Sequence, residues 1–127
     1  MTENFTITNT TKSTLPRVSF DVLKDGVLGK KYSLSLVFVG DKKSKDLNRA
    51  YRNLNKPTNI LSFPYSKNDG EIFINLKKVK KEVSKFERKY DNLVAYLFIH
   101  GLLHLKGMEH GSKMEEAEEK LCKKFGI

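Results

Sequence analysis

All three histidines of this chain lie within eleven residues, and this window constrains the fold more than any other feature. It reads His100-Gly-Leu-Leu-His104-Leu-Lys-Gly-Met-Glu-His110, so the imidazoles fall at positions i, i+4 and i+10. Random placement of three histidines along the chain gives this spacing in about one of three thousand arrangements. The spacing therefore indicates one shared site and argues against three unrelated core residues.

The apolar sequence around the first two histidines predicts a buried helix. Residues four apart are neighbours on a helix face, so His100 and His104 are expected one turn apart. Gly107 predicts the end of that helix, because glycine readily adopts the left-handed conformation that often follows a last turn. This reversal would bring His110 back toward the other two, and three neutral imidazoles would then hold one metal ion.

Three protein ligands without an evident fourth are typical of a catalytic zinc, in which water takes the open position. Such an ion lowers the pKa of its water to about 7 and polarises a carbonyl or phosphoryl oxygen. Histidine ligands alone do not distinguish zinc from nickel or copper. Metzincin proteases share the spacing, but they carry a glutamate base where this chain has Gly101, which disfavours peptide hydrolysis.

Other side chains are then needed around the metal. Glu109 and Glu71 are candidates either for a general base or for a group that orients an imidazole. Phosphodiester cleavage needs a cation on the developing charge more than it needs a carboxylate. Arg52, at the predicted end of a helix, is the candidate cation, and an ordinary interaction with the helix C-terminus is the alternative.

The net charge of +9 favours a polyanionic partner. Residues 41–56 carry six basic and two acidic side chains, residues 77–91 carry seven and three, and residues 109–127 carry four and five. Because the excess is regional, we expect nucleic-acid binding, with solvated helix surface as the alternative. The candidate RNA-binding residues are Arg49, Lys56, Lys78, Lys81 and Lys85.

The length of 127 residues fits one domain, 1–127, with one core. The longest apolar stretch, residues 93–105, is too short to span a bilayer, and the first residues lack the pattern of a signal peptide. We therefore expect a cytoplasmic protein without a membrane partner. The single cysteine, Cys122, has no disulfide partner in the chain and is expected in the core.

The hydrophobic periods predict strands at residues 5–8, 33–39, 60–63 and 71–74. Helices are expected at residues 16–28, 44–52 and 76–90, then from 91 through the histidines, and at 112–125. In the first helix Val18 and Val22 should face inward, with Leu23 as a further candidate. In the second, Ser44 should be the N-cap, with Leu47, Ala50, Tyr51 and the following Leu54 facing inward.

The histidine window closely resembles the H-G-x-L-H-L-x-G-x-D-H motif of the YbeY family of bacterial rRNA maturation factors and single-strand-specific endoribonucleases. Residues 47–52, Leu-Asn-Arg-Ala-Tyr-Arg, and 57–64, Pro-Thr-Asn-Ile-Leu-Ser-Phe-Pro, resemble that family's L-N-x-x-Y-R and P-T-[DN]-[VI]-L-S-F-P patterns. Residues 70–74 resemble its G-D-I-x-I strand. Glu109 and Glu71 stand where the family has aspartate, which keeps the charge and lengthens the reach.

The resemblance implies an α+β fold, with a small mixed sheet of about four strands, surrounding helices, and a zinc ion held by His100, His104 and His110 on a central helix. Arg52 matches the family's functionally important arginine, so Arg52 and His104 are the candidate catalytic residues.

The implied activity is zinc-dependent cleavage of single-stranded RNA, in 16S rRNA 3′-end maturation and ribosome quality control. The implied partners are 30S ribosomal proteins and an rRNA-binding GTPase. An rRNA-binding assembly factor with a structural metal is the alternative, and a metalloprotease is less favoured.

Overall fold

The computed structural model describes residues 4–127. Within them, strands and helices follow in the order β1 (Phe5–Asn9), α1 (Phe20–Leu28), β2 (Ser33–Val39), α2 (Asp41–Arg52), β3 (Ile60–Ser66), β4 (Asp69–Asn75), α3 (Leu76–Lys81), α4 (Tyr90–Leu105) and α5 (Ser112–Phe125). Each predicted strand is present. The last helix has the predicted bounds, and Cys122 is buried on it as expected.

The strands form one mixed sheet in the order β1-β2-β4-β3. β1 and β4 run parallel to β2, whereas β3 runs antiparallel to β4 and forms an outer edge. β3 and β4 are joined by a tight hairpin turn, as the turn residues predict. Pro64 is accommodated within β3 because an edge strand has one unpaired side, and the register is irregular between Pro64 and Ser66.

The core lies between one face of the sheet and the helices α1 and α4. Side chains alternate between faces along a strand, and Leu36 and Ile72 point from this face into the core with 0% exposure. Phe98 and Leu102 of α4 are equally buried. α2 contacts β3 and β4. The structure confirms an α+β fold with a four-stranded mixed sheet and a central histidine helix.

α2 begins three residues before its predicted N-cap, Ser44. Ser44 is instead buried within the helix, where its Oγ donates to the Thr58 carbonyl at 2.7 Å and accepts from the Thr58 N–H at 2.9 Å. Ala50, Tyr51 and Leu54, predicted to face inward, are exposed. The prediction was wrong because the buried residues of α2 are polar, namely Ser44 and Asn48, and they bind backbone groups of the next loop.

α1 begins at Phe20, four residues later than predicted. The carbonyl of Pro16 accepts the Val18 N–H at 3.1 Å, so the chain makes a turn there before the helix starts. Val22, predicted to face inward, is 51% exposed, whereas Leu23 is buried as expected and Val18 packs partly buried against the core.

The structure does not have the single helix that was predicted at residues 76–90. α3 ends at Lys81, residues 82–87 form turns, and Glu87 adopts a left-handed conformation with φ of 53°. Val83 and Phe86 still pack against the core, so turns satisfy the apolar spacing that had suggested one long helix. In the part of the chain that the structure describes, no helix has the length and apolar character to cross a membrane.

Candidate metal centre and its cleft

α4 places His100 and His104 one turn apart, and Gly107 reverses the chain with φ of +99°. The ring centroids of His100 and His104 lie 4.6 Å apart, and the ring of His110 lies 4.9 Å and 4.6 Å from these two. One ring nitrogen of each histidine lies within 4.8 Å of the others. The predicted convergence of the three imidazoles is confirmed.

The two helical histidines have defined tautomers. The Nδ1–H of His104 donates to the carbonyl oxygen of Met108 at 3.1 Å, and a carbonyl can only accept. The Nδ1–H of His100 donates to the carboxylate of Glu118. With Nδ1 protonated in both neutral rings, both Nε2 atoms carry lone pairs.

These two Nε2 atoms face each other at 3.1 Å. In the neutral form that binds a metal neither atom carries a hydrogen, so a cation between them would be held by both lone pairs. Zinc–imidazole bonds of about 2.0–2.1 Å at near-tetrahedral angles place two ligand nitrogens about 3.3 Å apart. The donor set therefore fits a zinc-sized ion, with His110 as the third ligand.

The protonation equilibrium of His104 also suits a metal ligand. Burial holds its pKa below the ordinary value of 6.5, and the neighbouring His100 and His110 lower it further. Because a metal binds the neutral ring, the lowered pKa keeps His104 available at physiological pH.

Glu118 is a site residue that the sequence analysis missed. It lies on α5, is 6% exposed, and accepts hydrogen bonds from His100 and from the hydroxyl of Tyr96, the latter at 3.2 Å. The sequence does carry a signal, since Glu118 lies four residues from both Met114 and Cys122, on the buried stripe of α5. A carboxylate on an apolar stripe needs a partner, and here that partner is a candidate metal ligand.

The three histidines line a cleft of about 300 Å³. Arg52, the last residue of α2, lines the same cleft and is exposed to solvent. The rest of the lining combines polar side chains with an apolar wall: Thr58, Asn59, Ser62, Ile60, Phe86, Tyr96 and Leu97. The structure thus brings the predicted cation and the predicted ligands to one cavity.

Buried hydrogen bonds hold the loop between α2 and β3 against the cleft. Besides the two bonds between Ser44 and Thr58, the Nδ2 of Asn48 donates to the Lys56 carbonyl at 2.9 Å. Asn59 is fixed from the other side, because its Nδ2 donates to Glu82 at 2.9 Å. The polar interior of α2 therefore positions Thr58, and Glu82 positions the side chain of Asn59.

The two predicted carboxylates lie in different places. Glu71 accepts from the Tyr65 hydroxyl at 2.7 Å and from the Ser35 hydroxyl at 3.3 Å. Its strand neighbour Ile72 faces α4, so Glu71 lies on the opposite face of the sheet from the histidines. Glu109 is exposed beside His110 and is the predicted carboxylate nearer to the metal centre along the chain.

The predicted RNA-binding residues lie on two neighbouring segments. Arg49 on α2 is exposed and pairs with Asp46 at 3.2 Å, and Lys56 is exposed on the following loop. Lys78 and Lys81 lie on α3, half-buried and exposed respectively. The Nζ of Lys85 lies 5.7 Å from the ring centroid of Phe86, which lines the cleft.

Gly101 allows α4 to pack closely against the sheet. A Cβ at this position would lie 2.8 Å from Ser62 Oγ and 3.0 and 3.2 Å from the Cδ1 atoms of Ile60 and Ile72. A glutamate next to His100 would have to displace these side chains, which disfavours the base of a metzincin protease at this position.

A family model described as Endoribonuclease YbeY matches residues 2–126 of the chain. The chain belongs to the YbeY family. The motif resemblance is therefore confirmed over nearly the whole length, and the prediction of an enzyme of the endoribonuclease class, a hydrolase of phosphodiester bonds, is confirmed for the family.

Individual relatives named endoribonuclease YbeY agree with this assignment. The protein of Thermodesulfovibrio yellowstonii is 39% identical over 101 residues, which cover 69% of this chain and 64% of that protein. The protein of Neorickettsia sennetsu is 34% identical over 110 residues, covering 78% and 77%. The protein of Ehrlichia chaffeensis is 34% identical over an alignment of 134 positions, covering 97% and 87%. The chain thus spans less than two thirds of the length of the first of these relatives.

The fold is also similar to a solved structure. A solution structure of a Thermotoga maritima protein superposes with a TM-score of 0.65 and 23% identity, covering 92% of this chain and 85% of that one. This likeness supports the fold described above.

Proposed function

We propose that this YbeY-family chain is a zinc-dependent endoribonuclease that cleaves single-stranded RNA, acting as one domain, residues 1–127, on the 3′ end of a 16S rRNA precursor in the cytoplasm. The observation that carries the proposal is the shared cleft, in which Arg52 faces the same cavity as the three converging imidazoles. A cation beside a three-histidine centre suits a phosphodiester, whose cleavage adds negative charge to the phosphate.

Each residue then has a task. His100, His104 and His110 hold the zinc ion, which when bound supplies a Lewis acid to the phosphate. Arg52 grips the non-bridging oxygens through two N–H groups and stabilises the charge that develops on them. Glu109, exposed beside His110, is the candidate base.

The remaining cleft lining suits a nucleotide. Thr58, Asn59 and Ser62 offer hydrogen-bonding groups to the ribose and phosphate, and the apolar side chains opposite offer contact to a base. Arg49, Lys56, Lys78, Lys81 and Lys85 are proposed to hold the flanking phosphates. Ribosomal proteins of the small subunit and an rRNA-binding GTPase remain the proposed protein partners, through the family resemblance.

The test is cleavage of a labelled single-stranded RNA that spans a 16S 3′ precursor. We compare the wild type with Arg52→Ala and with Arg17→Lys, an exposed arginine outside the cleft that serves as the control. Loss of the guanidinium in Arg52→Ala should lower the cleavage rate about 100-fold or more. The cleavage rate of Arg17→Lys and the fold of both variants should match those of the wild type. Equal rates for wild type and Arg52→Ala, with His104→Ala also active, would contradict the proposal.

The same assay separates the alternatives. RNA binding without cleavage by the zinc-loaded wild type would favour an assembly factor with a structural metal. Sustained cleavage of an unstructured peptide would favour a metalloprotease, which the close packing at Gly101 disfavours.

A further inference from the structure

Exposed aromatic rings gather on the sheet face opposite α4. Tyr51 at the end of α2 is 69% exposed and Tyr65 on β3 is 61% exposed. The Tyr51 ring lies 4.8 Å from that of Phe63, which lies 5.7 Å from that of Phe73. We call these four residues the aromatic face. The proposed nuclease mechanism uses none of them.

One hydrogen bond defines the orientation of Tyr65 within the aromatic face. The hydroxyl of Tyr65 donates to the carboxylate of Glu71 at 2.7 Å. The same carboxylate accepts a second hydrogen bond from the hydroxyl of Ser35. The contact with Glu71 raises the pKa of Tyr65 to about 12, with smaller contributions from burial and from Tyr51. The hydrogen bond to Glu71 therefore holds the ring at its hydroxyl end.

The aromatic face adjoins the metal cleft across a single strand. Ile60 and Ser62 of β3 line the cleft, while Phe63 of the same strand belongs to the aromatic face. Tyr51 and Arg52 are consecutive, yet Tyr51 packs on Phe63 and Arg52 lines the cleft. Because β3 is an edge strand, a flexible polymer that leaves the cleft past Arg52 reaches Tyr51 by passing around one strand.

The charge of the flanking segment argues for the kind of partner. Residues 41–56, which carry Tyr51, have six basic and two acidic side chains, and Arg49 and Lys56 are exposed on either side of it. Aromatic rings beside basic residues bind single strands, since bases stack on the rings while cations hold the phosphates. The carboxylate of Glu71 lies among the rings and would repel phosphates. The phosphates of a bound strand are therefore expected along α2.

We propose that the aromatic face stacks the bases of the single-stranded RNA segment next to the phosphate that is held in the cleft. This inference rests on the proposed nuclease function and adds a substrate-binding surface to it. Tyr51 and Tyr65 are the stacking residues, and Phe63 and Phe73 support them from the sheet.

The experiment measures the dissociation constant of the full-length, zinc-loaded protein for a labelled single-stranded RNA and for an abasic RNA of the same length, with the RNA checked to be intact. Tyr51→Ala should weaken binding of the normal RNA about 5- to 100-fold per lost base contact, and binding of the abasic RNA much less. Tyr51→Phe should retain binding, because it keeps the ring. Val22→Ala, at an exposed apolar residue of α1, is the control and should bind as the wild type.

Unchanged RNA affinity of Tyr51→Ala, or an equal loss for the normal and abasic RNA, would overturn the stacking proposal and leave the aromatic face to a protein partner. Failure of the nuclease function appears differently, as a wild type that binds the normal RNA without cleaving it.

Discussion

The imidazoles of the metal centre are oriented by groups from different segments of the chain. The carbonyl of Met108, just after α4, accepts a hydrogen bond from His104. The carboxylate of Glu118, on α5, accepts one from His100. The carbonyl of Met108 is placed by the same turn that carries the histidines, so the sequence window contains it. Glu118 could not be paired with His100 from the sequence alone, because that pairing depends on how α5 packs on α4.

Glu118→Gln is expected to weaken zinc binding about 10- to 100-fold, since the amide holds the His100 ring less firmly and adds less to its basicity. Glu119→Gln is the matched control, because Glu119 is the next residue and its side chain is 71% exposed. The measurement is a zinc titration against a competing chelator. Equal affinities of the two variants would show that Glu118 does not act on the metal ligands.

Glu71→Gln is expected to return the pKa of Tyr65 from about 12 toward its ordinary value of 10, because the hydrogen bond to Glu71 is the main cause of the shift. The bond requires a protonated hydroxyl, so its contribution to folding stability is complete below pH 10 and is lost as the pH rises through about 12. NMR titration of labelled tyrosine measures the pKa directly. The same pKa in both proteins would exclude the bond in solution.

At the level of elements, α2 shows where sequence patterns fail. Its apolar residues suggested an inward stripe, but the helix is anchored by the polar residues Ser44 and Asn48, whose partners are backbone groups of a loop. A hydrophobic period cannot reveal such contacts, since they depend on long-range placement. The strands and α5 were predictable because their period and turn residues agree with the packing they adopt.

Ser44→Ala is expected to lower the free energy of unfolding by about 1–3 kcal/mol, because it leaves the N–H and carbonyl of Thr58 without their buried partner. Exchange of the Thr58 amide hydrogen, which Ser44 accepts, should also become faster. Lys43→Ala, at an exposed position of the same helix, is the control. Unaltered exchange in this loop would mean that Ser44 does not hold it.

For the whole molecule, the two basic segments of the sequence both reach the metal cleft. The basic excess falls on residues 41–56 and 77–91, and the structure places Arg52 and Phe86 from these segments in the metal cleft. Composition could not show that the two segments meet at one cavity, because that depends on the order of the strands.

Replacing Lys78, Lys81 and Lys85 together by glutamine is expected to reduce the salt dependence of RNA binding. Each phosphate contact contributes about −0.7 to the slope of log affinity against log salt for a single strand, so three lost contacts reduce it by about 2. The triple substitution of Lys120, Lys123 and Lys124 on α5 is the control of equal charge. Equal changes for both sets would mean that only the total charge matters.

The most direct test of a zinc-dependent nuclease centre is metal add-back. Protein freed of metal by a chelator should not cleave single-stranded RNA, and activity should rise with added zinc up to one ion per chain. The His100→Ala, His104→Ala and His110→Ala variants should not regain it at that ratio. Full cleavage by the chelated protein, or recovery by all three variants at one equivalent of zinc, would contradict the three-histidine centre.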